Sequence, residues 1–409
     1  MGKSIGFKCA RCGAEVELAS SDYDCPKCSG NLLVQYDLTG LKRRLKRSDV
    51  EGGALDGIWR YRELLPLDSS KYASPLKIGG TPLYRSRGIA DELGLRSLYI
   101  KDDGRNPSAS FKDRAGAIAL ARALERGEKV ITGASTGNAA SSLACLAAGT
   151  GIRTIIFVPK AAPVAKIAQL LVFGATVIAV DGTYDQAFDL CLQATAEYGW
   201  YNRNTGYNPF TREGKKTCAY EIVEQLGWKC PDKVIVPVGD GNIISGIWKG
   251  FLEFHALGWI DRLPQLIAVQ GGKSDAIACA LESNGQIPTV SGETVADSIS
   301  VSLPRDGDAA VTAVRDSKGF AVRVADTEIL ESIPHLARRE GVFAEPAAAA
   351  AVAGLRKAYA EGRIASDETV VVLITGNGLK DVASAMKTVG APRVIAPEMA
   401  ALRQLNLGS

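Results

Sequence analysis

The sequence predicts an α/β protein with parallel sheets, preceded by a small cysteine-rich module. From about Leu76 onward, short apolar runs alternate with helix-like segments, which is typical of parallel strands covered on both faces. Glycine- and hydroxyl-rich loops follow several of these runs, at the strand ends where α/β sheets bind ligands. Two Cys-x-x-Cys pairs precede this α/β region.

Composition limits the classes of function. The chain has 409 residues, of which 46% are hydrophobic and 23% charged, so it can bury a large core in roughly two or three domains. Its 48 basic and 45 acidic residues give a net charge of +3, so no overall field draws it to nucleic acid or membranes. No segment reaches the ~18 consecutive apolar residues of a membrane helix. The only histidines, His255 and His335, disfavour a histidine triad or a multi-histidine metal centre.

Cysteine usage predicts a cytoplasmic protein. Residues 1–10 lack the apolar stretch of a secretory signal. Nine cysteines would suit a disulfide framework in a small secreted domain, but this chain is long and shows no such signal. Five of them lie in apolar or helical contexts and are interpreted as small core residues: Cys145, Cys191, Cys218, Cys230 and Cys279.

The four remaining cysteines have the spacing of a structural zinc site. Cys9 and Cys12 form the first Cys-x-x-Cys pair, and Cys25 and Cys28 form the second. Two such pairs can place four thiolates around one zinc ion, with no open position for catalysis. Residues 1–35 are therefore predicted to be a zinc ribbon.

A basic run follows the predicted ribbon and leaves a second interpretation open. Zinc ribbons often bind nucleic acid, so a non-catalytic nucleic-acid-binding protein is an alternative. The rest of the chain carries no matching charge, which favours a solvated face within a linker and arm over residues 36–75. The run comprises Lys42, Arg43, Arg44, Lys46 and Arg47.

The α/β region is read in order from its apolar runs. Strands are expected at residues 129–132, 153–158, 175–180, 233–238, 266–270 and 369–375. Helices are expected at residues 138–148, 165–173 and 184–198, and after residue 241. These alternating elements predict parallel sheets in two lobes, with ligand sites at the carboxyl ends of the strands.

Three loops at predicted strand ends carry candidate ligand-binding groups. Residues 133–138 read Gly-Ala-Ser-Thr-Gly-Asn, whose amides and hydroxyls at a helix start suit a carboxylate. Residues 239–243 read Gly-Asp-Gly-Asn-Ile, and their glycines allow the backbone to approach a phosphate. The spacing fits neither a dinucleotide fingerprint nor a Walker loop, which favours a phosphate monoester. The third loop, Thr-Gly-Asn-Gly at 375–378, is a ligand loop or simply a tight turn.

Lys112 is the candidate nucleophile. It lies in the run Asn-Pro-Ser-Ala-Ser-Phe-Lys-Asp-Arg at residues 106–114. An aromatic neighbour can desolvate the amine, and desolvation favours the neutral form needed for Schiff-base chemistry. By residue type alone, a solvated lysine is the commoner interpretation.

Together, these motifs resemble the fold-type-II pyridoxal-phosphate enzymes, and the threonine synthase family in particular. That family reads Asn-Pro-Thr-Gly-Ser-Phe-Lys-Asp-Arg where this chain has residues 106–114, and Ala-Ser-Thr-Gly-Asn where it has residues 134–138. The runs at 375–381 and at Glu345-Pro346-Ala347 match two further family segments. The resemblance implies a two-lobed, tryptophan-synthase-β-like fold over residues 76–390, with a smaller mobile lobe at roughly 95–210 and a tail at 391–409.

The resemblance also implies roles for individual residues. Lys112 would hold pyridoxal 5′-phosphate covalently and move protons. Asn138 would bind the ring hydroxyl, and Thr375 would face the pyridine nitrogen. Ser135 and Thr136 would bind the substrate carboxylate. The cofactor phosphate would lie against Gly239, Asp240, Gly241, Asn242 and Ile243.

The reaction implied is O-phosphohomoserine plus water to threonine plus phosphate. The expected ligand is therefore a small amino-acid phosphoester, with no nucleic-acid or membrane partner and a homodimer as a possible assembly.

The chain departs from the family pattern around residues 202–214. Family members usually read Asn-Ser-x-Asn-Pro-x-Arg there, whereas this run is longer and its arginine sits one place later. We expect Arg203 and Arg212, with Lys215, to bind the substrate anion instead. Asn377 also replaces a usual histidine. The departure leaves open a related β-replacement or β-elimination enzyme, such as a cysteate-synthase-like enzyme on phosphoserine or a threonine or serine dehydratase.

Overall fold

The computed structural model describes residues 4–17, 23–51, 55–162, 164–405 and 407. Parts of four predicted regions lie outside the described residues. These are 1–3 and 18–22 of the ribbon, 52–54 of the linker, 163 of the two-lobed region, and 406, 408 and 409 of the tail.

The amino-terminal module is a three-stranded antiparallel sheet. Its strands are β1 (Ser4–Cys9), β2 (Glu15–Val16) and β3 (Leu32–Tyr36), in the order β2-β1-β3. Helices α1 (Leu38–Arg44) and α2 (Arg47–Glu51) follow, and two 3₁₀ segments span Gly57–Leu64 and Ser70–Tyr72.

The basic run lies on these two helices and between them, and it has partners within the chain. Arg44 forms a 3.1 Å ion pair with Glu63. The guanidinium of Arg47 lies 5.2 Å from the centre of the Trp228 ring and donates a hydrogen bond to the carbonyl of Trp259. We predicted a solvated face for this run, and these contacts show that Arg44 and Arg47 instead pack on other parts of the chain.

The remaining chain alternates strands and helices. The strands are β4 (Leu83–Arg85), β5 (Ser97–Asp102), β6 (Val130–Ala134), β7 (Arg153–Pro159), β8 (Thr176–Val180), β9 (Tyr201–Asn202), β10 (Lys233–Pro237), β11 (Gln265–Gly271), β12 (Phe320–Val324) and β13 (Thr369–Ile374). The helices are α3 (Gly88–Leu93), α4 (Lys112–Glu125), α5 (Asn138–Ala147), α6 (Val164–Val172), α7 (Tyr184–Tyr198), α8 (Phe210–Lys215), α9 (Thr217–Gln225), α10 (Asn242–Ala256), α11 (Ala276–Glu282), α12 (Gly307–Asp316), α13 (Asp326–Glu340), α14 (Pro346–Ala360), α15 (Val382–Met386) and α16 (Met399–Arg403). Short 3₁₀ segments span Asp103–Arg105, Asp297–Ile299 and Gly378–Asp381.

The strands form two sheets, which confirms the predicted α/β class. The larger sheet has the order β12-β11-β10-β13-β5-β4, and all its pairs are parallel except β4 with β5. The smaller sheet is wholly parallel, with the order β8-β7-β6-β9. The predicted start of the smaller lobe near residue 95 is wrong, because β5 pairs with β13 in the larger sheet. The strands of the smaller sheet begin only at Val130.

Packing joins the cysteine-rich module to both sheets. One hydrophobic core contains Phe7 and Val34 of the module together with residues of α4, α5, α10 and the strands. The rings of Phe7 and Phe210 meet edge to face, with their centres 5.8 Å apart. Among the described residues, no helix is both long enough and apolar enough to cross a bilayer.

Candidate active site

A cavity of about 640 Å³ lies where the carboxyl ends of the two sheets face each other. The loop after β6, the loop after β10 and the start of α4 all line it. A neighbouring cavity of about 440 Å³ shares the loop after β6 and is also lined by Glu345, Asn377 and Lys380. The sequence-predicted loops are therefore brought together at one edge of each sheet, as parallel strand order requires.

Lys112 is the first residue of α4 and lines the main cavity. Hydrogen bonds to the end of β13 fix its loop, since the amide of Phe111 donates to the carbonyl of Thr375 at 2.8 Å. The Lys112 amine has no hydrogen-bond or ion-pair partner among the described residues. Burial lowers its pKa, while the nearby carboxylates of Glu345 and Asp240 partly restore it. A lysine held in this way can supply a neutral amine.

Asn138 starts α5 and points toward a buried carboxylate. Its side-chain amide donates to both oxygens of Glu345, at 2.8 and 3.0 Å. Burial raises the pKa of Glu345 to about 7, although the hydrogen bond from Asn138 opposes that shift. Gly376 packs directly on this carboxylate, since a Cβ at that position would lie 2.1 Å from Oε1. Sequence reasoning noted Glu345 only as part of a family segment and assigned it no role.

The loop at residues 239–243 lines the cavity along its whole length. Gly241 precedes α10 in a left-handed conformation, with φ +89°, and a Cβ there would lie 2.6 Å from the Cβ of Ala310. A Cβ on Gly239 would lie 2.8 Å from the Cα of Ile299. Glycine is therefore required at both positions. The first amides of α10 have no hydrogen-bond acceptor within the helix. Such a helix start binds phosphate groups readily.

Ser135 and Thr136 also line the main cavity. The neighbouring Gly137 faces open space, because a Cβ there would meet nothing within 4 Å. Thr375 is buried at the end of β13 and is not among the residues that line either cavity. Its carbonyl accepts the hydrogen bond from the amide of Phe111.

Three cations reach the cavity besides Lys112. Arg203 is 2% exposed, and its Nε and Nη2 have no hydrogen-bond partner in the described part of the chain. Burial lowers its pKa to about 10. The amine of Lys215 donates to Oδ1 of Asn242 at 2.5 Å, and its pKa is lowered well below the usual value by burial and by the nearby charges of Lys112 and Arg203.

Arg305 is the third cation, and no sequence motif indicated it. Its side chain lines the cavity, lies over the Phe188 ring and forms a 3.2 Å ion pair with Asp185. Arg305 belongs to an irregular polar loop before α12, where neither periodicity nor a fingerprint marks a binding residue.

The structure does not bring Arg212 to the cavity, where we predicted that it binds the substrate. Its side chain is 2% exposed and does not line the cavity. The guanidinium pairs with Asp306 and donates to Oγ of Ser245 at 3.1 Å and to the carbonyl of Leu32 at 3.3 Å. α8 directs this side chain toward Asp306 and the cysteine-rich module. Because Asp306 neutralises its charge, the guanidinium is not available to a ligand.

The four predicted metal ligands lie together, with their sulfur atoms within 4.8 Å of one another. The Cys9–Cys28 and Cys12–Cys25 sulfur distances are 3.5 and 3.8 Å. A zinc ion about 2.3 Å from each sulfur would space tetrahedral ligands about 3.8 Å apart. The thiols are not joined as disulfides, so their arrangement fits a zinc ion.

Comparison with known proteins agrees with this geometry. The family described as "Pyridoxal-phosphate dependent enzyme" matches residues 75–376. The chain belongs to this family. Lys112 and the start of α10 both line the cavity that this family uses for its cofactor.

Curated relatives narrow the family to threonine synthases. A threonine synthase of Methanocaldococcus jannaschii is 40% identical over 402 residues, which cover 97% of this chain and 98% of the relative. One of Methanosarcina acetivorans is 38% identical over 98% of each chain. A threonine synthase of Mycobacterium bovis is 38% identical over 80% of this chain and 89% of its own. The chain is therefore a pyridoxal-phosphate-dependent lyase of the threonine synthase type.

Solved structures confirm the fold. A threonine deaminase of Solanum lycopersicum superimposes with a TM-score of 0.64 at 23% identity, over 76% of this chain and 83% of its own. A diaminopropionate ammonia lyase of Escherichia coli gives a TM-score of 0.66 at 20% identity, over 76% and 87%. These neighbours share the two-sheet architecture predicted from the motifs.

Proposed function

We propose that the chain converts O-phospho-L-homoserine and water into L-threonine and phosphate. Family membership and the names of its relatives support this reaction. The observation that carries the proposal is that Lys112 and the buried Arg203 line one cavity. Within the described residues, the Lys112 amine and two of the Arg203 nitrogens have no hydrogen-bond partner. A buried guanidinium without a partner is costly, and an anionic substrate would compensate it.

The cofactor would be held by residues that line the cavity or border it. Lys112 would attach its aldehyde carbon, residues 239–243 would bind its phosphate, and Asn138 would bind its ring hydroxyl. Thr375 would lie at the pyridine nitrogen, where a neutral hydroxyl does not enforce protonation. When bound, pyridoxal phosphate supplies an electron sink for negative charge that develops next to the substrate amine.

Lys112 would move the protons. Burial lowers its pKa, which favours the neutral amine, and that amine would take the proton from Cα and then one from Cβ. Phosphate would leave from Cγ, and Lys112 would return one proton to Cγ and one to Cα. The hydroxyl of water would add at Cβ, and the remaining proton of that water would leave with the phosphate. Ser135 and Thr136 would bind the carboxylate and hold the substrate in register with Lys112.

Arg203, Lys215 and Arg305 would bind the phosphate of the substrate. All three lie on the cavity wall, and the first two are buried. Positive groups fixed in a dry site stabilise charge on a departing phosphate more strongly than water does.

The test is to incubate the purified chain with phosphohomoserine and measure threonine and phosphate. We expect both products in equal amounts, and none above background from a Lys112→Ala variant. No turnover above that variant would overturn the proposal.

One alternative has an observation in its favour. Arg212 lies outside the cavity, so the substrate end differs from the family pattern, and a related β-replacement or β-elimination enzyme would show the same Lys112 site. A panel of phosphoserine, serine and threonine, scored for cysteate with sulfite, pyruvate and 2-oxobutyrate, separates the candidates.

Three further predictions accompany the reaction. The Cys9, Cys12, Cys25 and Cys28 cluster would hold one structural zinc ion, which metal analysis of the purified chain tests. A homodimer and a cytoplasmic location remain predictions, which light scattering and cell fractionation would test.

A further inference from the structure

The side chain of Asn31 joins the cysteine-rich module to the wall of the cavity. Its amide nitrogen donates to the carbonyl of Arg305 at 2.6 Å and to Oδ1 of Asp306 at 2.8 Å. Asn31 stands between the second cysteine pair and β3, and the amide of Ala10 donates to its carbonyl at 2.9 Å. The Asn31 side chain is thus held by the module and directed at the loop before α12.

Asp306 links Asn31 to residues 239–243, which we call the phosphate loop. It is 1% exposed, and its Oδ2 accepts from the side chains of Asn242 and Ser245, both at 2.8 Å. The amide of Asp306 donates to the carbonyl of Asp240 at 2.9 Å. A Cβ on Gly241 would lie 2.9 Å from the carbonyl oxygen of Asp306. The carboxylate therefore fixes both the backbone and one side chain of residues 239–243.

Arg305 receives the same support. Asn31 holds its carbonyl, and its amide donates to Oδ1 of Asp240 at 3.2 Å. Its side chain then enters the cavity. Two anion-binding elements, the phosphate loop and Arg305, thus share one anchor in the cysteine-rich module.

We propose that Asn31 is a positioning residue that couples the cysteine-rich module to the phosphate site of the cavity. This role rests on the proposed function, because residues 239–243 are assigned there to the cofactor phosphate. Asn31 does not line the cavity, so it acts through Asp306 and Arg305.

We expect the module to stay docked when Asn31 is changed, because other contacts hold it. Phe7 packs on Phe210, and the amine of Lys249 donates to the carbonyl of Val34 at 2.6 Å. Gln35 offers a matched control in the same module, since among the described residues its side-chain amide donates to the carbonyls of Leu33 and Val34 alone. Gln35→Ala removes a carboxamide without touching the 305–306 loop.

The experiment compares binding of pyridoxal phosphate with binding of pyridoxal, which lacks the phosphate, to the full chain stripped of cofactor. For Asn31→Ala we expect the dissociation constant of pyridoxal phosphate to rise about tenfold, as for one lost hydrogen bond to a charged group. Pyridoxal binding should change less than twofold, and Gln35→Ala should match the parent for both ligands. Asn31→Asp, which sets a second carboxylate beside Asp306, should weaken pyridoxal phosphate further with the same selectivity.

Equal losses for both ligands, or no loss for either, would overturn the role of Asn31. Asn242→Ala separates this outcome from failure of the underlying assignment. If that variant also leaves the preference for pyridoxal phosphate unchanged, residues 239–243 do not bind the cofactor phosphate. If Asn242→Ala shows the selective loss and Asn31→Ala does not, the loop assignment stands and the positioning role alone fails.

Discussion

Arg203 and Arg212 lie nine positions apart in the chain, and their surroundings are opposite. Both guanidinium groups are 2% exposed. Arg212 pairs with Asp306 and donates to a hydroxyl and a carbonyl. Arg203 follows β9 at the cavity wall, where two of its three nitrogens have no partner in the described chain.

The difference indicates which buried charge belongs to the fold and which is kept for a ligand. A buried charge costs several kcal/mol unless a partner compensates it. Asp306 compensates the charge of Arg212. Burial raises the pKa of Asp306, but the Arg212 guanidinium and the hydrogen bonds from Asn31 and Ser245 outweigh this and hold that pKa below its usual range. No carboxylate in the described part of the chain pairs with Arg203, so we expect a bound anion to compensate its charge.

Removing Arg212 should give the largest effect on stability. Arg212→Met leaves Asp306 buried without its cation, and we expect the free energy of unfolding to fall by about 4 kcal/mol. Chemical denaturation measures this loss. The double variant Arg212→Met with Asp306→Asn should recover part of it, and a single variant as stable as the parent would contradict the structural role of Arg212.

Glu345 extends the comparison to a carboxylate whose direct partner, Asn138, is neutral. Burial raises its pKa from an ordinary value near 4.3 to about 7, with Lys112, Lys380 and Asp297 also nearby. The folded chain therefore holds more protons than the unfolded chain between these values, so the free energy of unfolding should fall as pH rises through that window, by about 3 to 4 kcal/mol. Glu345→Gln cannot ionise and should lack this fall. Denaturation of both chains at pH 4 and pH 8 tests it, and a difference independent of pH would contradict it.

Removing Arg203 should lower activity and not stability, which is the reverse of the effect expected for Arg212. Arg203→Met removes an uncompensated charge, so we expect unchanged or slightly higher stability but a loss of kcat/KM for the phosphoester of a hundredfold or more, which is about 3 kcal/mol. Steady-state kinetics and denaturation of the same preparation measure both. Lower stability with unchanged kcat/KM would reverse the assignment of the two arginines.

The smallest effect on stability is expected at an exposed ion pair. Arg11 of the cysteine-rich module pairs with Asp308 at 2.7 Å, with the two side chains 56% and 35% exposed. Arg11→Ala should change the free energy of unfolding by less than about 1 kcal/mol. A larger loss would mean that the module docks through this pair rather than through buried contacts.

The fold was largely predictable because its central strands are continuous apolar runs between polar loops. All six predicted strands are present, and the helix at Tyr184–Tyr198 has the predicted bounds because a capping box at Thr183 starts it and Gly199 in the left-handed conformation ends it. β9 has only two residues, too few for any periodicity, and was missed. β5 was not predicted as a strand, and the range assigned to the smaller lobe includes it. Its sequence does not reveal that it pairs with β13, far along the chain.

The site was predictable where a motif also fixes the backbone. Lys112, Asn138 and residues 239–243 lie on one cavity because each motif ends a strand or starts a helix. The motifs could not show which of the basic side chains face the cavity. The orientation of α8 decides that Arg212 faces Asp306, and the irregular loop before α12 decides that Arg305 enters the cavity, and neither is encoded in local spacing.

The site as a whole depends on whether Lys112 carries pyridoxal phosphate. Borohydride reduction of the holoenzyme, followed by peptide mass spectrometry, answers this. We expect the visible absorption band to be bleached and the pyridoxyl group to be found on the peptide that contains Lys112, with no label in Lys112→Ala. An unmodified Lys112, or a label on the nearby buried Lys215, would contradict the assignment.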